Sequence, residues 1–154
     1  MMFAFAAALA LIAAQSPQTA GTPVESNLEY ANPIAGNWVY APTANGSAAT
    51  FENVTGQPQL TIRCTRSTRH IQIQKSAPAA SPSMWIWTSS QRKSLPATFD
   101  ASSGQVIVDL GAFDPLLDAI ASSRGRVGFS TSGLAALVVP PWADLARVIE
   151  DCRA

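Results

Sequence analysis

Leu60-Thr61-Ile62-Arg63-Cys64-Thr65 and, after a short break, His70-Ile71-Gln72-Ile73-Gln74 decide how this chain folds. Leu60, Ile62 and Cys64 alternate with Thr61, Arg63 and Thr65, and Ile71 and Ile73 alternate with His70, Gln72 and Gln74. A period of two belongs to a strand, whose successive side chains point to opposite sides of a sheet. The two stretches therefore predict a pair of half-buried strands joined by a turn near Ser67, with Cys64 on the inward face.

The same logic extends in both directions. Upstream, Gly36-Asn37-Trp38-Val39-Tyr40 is a short aromatic strand ended by Pro42, and Asn45-Gly46 is a turn signal before a returning strand over Ser47 to Val54. Downstream, Pro78 and Pro82 make residues 76–83 a loop. Met84-Trp85-Ile86-Trp87 is apolar on both faces and reads as a central strand. Val106-Ile107-Val108 and Leu110 form another strand, started by a Ser103-Gly104 turn. Val127 to Thr131 and Leu134 to Val139 form a hairpin around Ser132-Gly133. Two helices interrupt the strands. Asp114-Pro115 is a helix start, Leu116, Leu117 and Ile120 give its buried stripe, and Gly125 is placed to end it. A second helix from about Pro141 carries Leu145, Val148, Ile149 and Cys152 on one face. The order predicts an α+β fold, mainly an antiparallel β sandwich or half-open barrel, with a short helix, a C-terminal helix and one disulfide. Trp142, beside the second helix start, is expected to pack on the hairpin.

The disulfide follows from the cysteines. The chain has only Cys64 and Cys152, 88 positions apart, and two independent periodicities place both on apolar faces. An even number of cysteines in an exported chain reads as a bridge, the alternative being two buried thiols. Export is argued from the N-terminus. Phe3 to Ala14 is an unbroken apolar run followed by Gln15-Ser16-Pro17, although no Lys or Arg precedes it. As a helix, residues 1–14 would span about 21 Å, short of the roughly 30 Å hydrocarbon core of a bilayer. Residues 1–20 are thus read as a signal peptide cleaved after Ala13, Ala14 or Ala20. Residues 21–35 follow as a flexible leader, and 36–154 as a single β-rich domain in the periplasm or outside the cell. No transmembrane segment is expected after cleavage. With 154 residues, a formal net charge of zero and 13% charged residues, the chain lacks the basic excess of a general nucleic-acid binder.

Candidate sites are few. Between Glu52 and Asp100 there is no acid, while Arg63, Arg66, Arg69, Lys75, Arg92 and Lys93 fall inside, and Asp100, Asp109, Asp114 and Asp118 follow. Arg66, Arg69, Arg92 and Lys93 are the candidate anion- or partner-binding residues, for an envelope component or an acidic protein. The plainer reading is solvated strand faces with opposite charges meeting across the fold. Trp85 and Trp87 share a strand face and could form an aromatic platform for sugar or peptidoglycan rings; the plainer reading is core filling. Ser90-Gln91-Arg92-Lys93 spells S-x-x-K, but it follows a strand and runs into Leu95-Pro96, and its partner motifs are absent. His70 is the single histidine, on a regular strand, and Asp109 is read as pointing to solvent. No catalytic residue, metal site or cofactor is assigned, and a small hydrolase with an unrecognised site stays open as an alternative.

The tail from Leu60 to Cys152 resembles small exported envelope proteins of the invasion-associated locus B type. The resemblance is carried by the strand, helix, strand, strand, helix order of Gln105–Gly111, Asp114–Ser123, Arg126–Thr131, Ser132-Gly133-Leu134 and Trp142–Cys152. It implies a β-sandwich-like fold with no catalytic residues. The function expected is a non-catalytic exported domain that binds an envelope component or a protein partner.

Overall fold

The computed structural model describes Leu28 and residues 30–154, so residues 1–20, read as a signal peptide, and most of residues 21–35, read as a leader, lie outside the described residues. Ten strands and two helices follow one another: β1 (Gly36–Thr43), β2 (Gly46–Asn53), β3 (Pro58–Thr65), β4 (His70–Ser76), β5 (Ser83–Trp87), β6 (Arg92–Pro96), β7 (Thr98–Asp100), β8 (Gln105–Gly111), α1 (Pro115–Ala121), β9 (Val127–Thr131), β10 (Leu137–Val139) and α2 (Ala143–Arg153). They build a six-stranded sheet in the order β1-β2-β3-β4-β8-β7 and a four-stranded sheet in the order β10-β9-β5-β6. Every pairing is antiparallel. Both sheets are open, and the fold is α+β and mainly β.

The decisive pair sits in the middle of the larger sheet. β3 and β4 align Ile62 with Ile73 and Cys64 with Ile71, and all four side chains are buried. The alternation runs one step further than its apolar residues, so Lys75 takes an inward position between Leu60 and Val106. α2 lies across β1, β2 and β3 and buries Leu145, Val148, Ile149 and Cys152. Cys152 is bonded to Cys64, with 5.4 Å between their Cα atoms. Trp38 is buried beneath the start of α2: its indole Nε1 donates to the Pro140 carbonyl at 2.7 Å, and its ring meets Phe51 edge-on at 5.4 Å.

Three local expectations change. Asp114 does cap α1, its Oδ1 accepting from the Leu116 amide at 2.8 Å, but the helix ends at Ala121, before Gly125. Ser122 stops it by donating its hydroxyl back to the Asp118 carbonyl at 2.7 Å, a local bond that competes with helix continuation. Gly125, at φ +74°, serves instead to turn the chain into β9. α2 begins at Ala143, after a tight turn at Pro141 in which the Trp142 amide donates to the Pro140 carbonyl at 3.1 Å. Trp142 at its N-cap is exposed and does not fill the hairpin interior.

Candidate functional site

β5 is the strand on which the site is built. Met84 and Ile86 are fully buried, so the pleat sends Trp85 and Trp87 to the opposite face of the four-stranded sheet. Both rings are half-buried, with centroids 6.1 Å apart. The cross-strand register fixes their neighbours: Trp87 lies between Arg92 on β6 and Gly128 on β9, and Trp85 between Ser94 and Ser130. The Arg92 guanidinium sits 5.3 Å from the centroid of the Trp87 ring, a cation–π contact. Trp87 Nε1 is shut from solvent without an acceptor among the described residues, so the surface this side chain exposes is carbon.

Two loops meet at this end of β5. In the β5–β6 turn, Thr88 Oγ1 accepts from the Gln91 amide at 3.0 Å and donates to the Gln91 carbonyl at 2.9 Å. In the α1–β9 loop, Ser123 Oγ donates to the Arg126 carbonyl at 2.6 Å and accepts from the Ser89 amide at 2.9 Å. Ser89 Oγ in turn accepts from the Arg124 amide at 3.0 Å. These bonds lock the loops together and bring Arg124 and Arg126 up beside Arg92.

The result is a cleft of about 430 Å³ lined by Trp87, Arg92, Arg124 and Arg126 together with Leu28, Thr88, Ser89 and Gly128. No acidic residue among the described residues lines it. Arg92 and Arg124 make no ion pair among the described residues. Arg126 is anchored, donating from Nη1 to the Ala31 carbonyl at 2.8 Å. The end of the stretch read as leader therefore touches the domain here: Leu28 is buried and packs over Gly128, where a Cβ would meet its two methyl groups at an ordinary contact distance of 3.6 Å. The Ile34 amide also donates to the Val138 carbonyl at 2.9 Å.

The four basic residues singled out in the sequence have separate surroundings. Arg66 and Arg69 lie on the β3–β4 turn, where Arg66 Nε donates to the Asp151 carbonyl at 3.2 Å and the Arg69 carbonyl accepts from the Ala112 amide at 2.8 Å. Lys93 faces the Asp114 carboxylate at 4.0 Å. Arg92 alone of the four lines the cleft, in the company of Arg124 and Arg126. Opposite charges do meet elsewhere, as in Arg153 with Asp118 at 2.8 Å.

The other constellations are quickly placed. Ser90 sits in the β5–β6 turn and Lys93 on β6, so the S-x-x-K stretch forms no helical turn. His70 Nδ1 pairs with Asp109 on the exposed face of β4 and β8, and no hydroxyl hydrogen-bonds to His70 among the described residues. No group of three or more metal-ligating side chains occurs among the described residues, and no described helix is long and apolar enough to cross a membrane. No family model, curated protein or solved structure matches the chain.

Proposed function

We propose that this chain is a non-catalytic exported domain whose ligand seat is the cleft between the β5–β6 turn and the α1–β9 loop. The ligand presents an anionic group, as an envelope component or an acidic partner would. The observation that carries this reading is the pair of guanidinium groups on Arg92 and Arg124, which make no ion pair among the described residues, at an opening that no described acidic residue lines. Like charges brought together repel one another, and an anion in their midst relieves that repulsion while accepting charge-assisted hydrogen bonds. Guanidinium groups suit the task because their planar forks match carboxylate and phosphate oxygens. The hydroxyls at the site, on Thr88 and Ser89, are engaged with turn backbone, and neither His nor Lys lines the cleft to activate them. That argues for binding over hydrolysis.

The test is calorimetric titration of the mature domain with inorganic phosphate and pyrophosphate at low and moderate salt. Saturable binding that weakens as salt rises is expected, because exposed charges are screened over about 8–10 Å at physiological ionic strength. The double substitution Arg92→Gln with Arg124→Gln should weaken it at least tenfold. Equal binding by the substituted protein would place the anion elsewhere and overturn the assignment.

A further inference from the structure

We infer that the ligand of this cleft is an acidic saccharide: a pyranose ring that carries a phosphate or carboxylate group. The inference rests on the anion-binding reading above and adds a second subsite to it. Along β5 the outer face has two successive rows. The first, Arg92–Trp87–Gly128, opens into the arginine cleft, and the second, Ser94–Trp85–Ser130, lies immediately beside it.

The second row has the makings of a sugar platform. Trp85 is half-buried on the face away from the core, and its cross-strand neighbours on both sides are serines, too small to cover the ring. A pyranose presents C–H groups on one face, which pack on an aromatic ring, and hydroxyls at its rim, which need polar partners. Ser94 and Ser130 supply such hydroxyls on either side of the ring and make no side-chain hydrogen bonds among the described residues. The 6.1 Å separation between the Trp85 and Trp87 centroids is about the width of one sugar ring, so a sugar on Trp85 can direct an acidic substituent toward Arg92 and Arg124. A bare anion would use the first row alone, and a neutral sugar the second alone. The chemistry that uses both is an anionic sugar.

Four probes separate the alternatives by calorimetry: inorganic phosphate, the neutral trisaccharide maltotriose, glucose 6-phosphate and trigalacturonate. The last two distinguish a phosphorylated sugar from a uronate. One or both of them should bind about tenfold tighter than either phosphate or maltotriose. Trp85→Ala should abolish that advantage over phosphate. Saturation-transfer NMR on the unmodified protein should put the strongest enhancement on pyranose ring protons, a reading that needs no variant to fold. If phosphate binds as tightly as both acidic sugars, or the ring protons receive no saturation, the saccharide inference is wrong and the anion site stands. If neither phosphate nor the acidic sugars bind, both readings fall.

Discussion

Lys75 is the residue at which the strand pattern and side-chain chemistry conflict. The pleat of β4 commits position 75 to the inward face, yet the residue there is a lysine, 6% exposed and without a carboxylate partner among the described residues. Burial strips water from the ammonium and lowers its pKa from the ordinary value of 10.5. Below the lowered folded value the amine is charged in both states, and the desolvation penalty acts in full. Between that value and 10.5 the unfolded chain binds more protons than the folded one, so stability rises with pH across that window. Replacing Lys75 by Met, of similar length and apolar, should stabilise the domain by on the order of 1 kcal/mol at pH 7. The gain should shrink as pH approaches 10. Urea unfolding of both proteins at pH 7 and pH 10 checks this; a loss of stability at pH 7 would show that the amine has a stabilising role.

The elements were legible to very different degrees, and the reason is how much of each strand is buried. β3 and β4 have one face in the core and alternate visibly, while β5 and β8 stand out as apolar runs. β6 is an edge strand with only Leu95 buried, and Arg92-Lys93-Ser94 carries no apolar signal to mark it as a strand. β7, three residues at the opposite edge of the other sheet, is missed for the same reason. The cleft inherits that blindness. Arg92 and the two tryptophans are readable as residue types, but their juxtaposition depends on the β5–β6 register. Arg124 and Arg126 flank Gly125 in a loop whose position the sequence leaves open. At the first hairpin the turn residue is legible, though its duty is shifted by one place. Ala44 and Asn45 form the loop, and Gly46 opens β2 at φ +143° against the Cys64 carbonyl. A Cβ there would collide with that oxygen and lie 3.2 Å from Cys64 Sγ. Gly46→Ala should therefore cost more than about 1 kcal/mol. A circular-dichroism melt at the wild-type temperature would show the backbone there to be less constrained than the register implies.

At the scale of the molecule, the disulfide and the cleft belong to different parts of the fold. The bridge pins α2 to β3, and α2 packs on β1, β2 and β3 of the six-stranded sheet and on α1. The cleft is built on the outer face of the four-stranded sheet, from β5, β6, β9 and the loops beside them. Closing a loop of 88 positions restricts the unfolded chain strongly, by about 4–5 kcal/mol in the chain-entropy view, although native bridges in small exported domains more often contribute about 2–5 kcal/mol. Cys152→Ser should lower stability within that range, and reductant should lower the melting temperature of the parent protein to match. Well below the lowered transition, however, the affinity for phosphate should be unchanged, because none of the cleft residues touches α2 or Cys64 through a described hydrogen bond or ion pair. Melting with and without reductant, paired with phosphate titration at low temperature, tests both halves of the statement. An unchanged melt would show that the bridge is not what holds α2 down. A loss of binding in the still-folded variant would show that the two layers act as one unit, with the helix setting the position of the arginines through the shared core.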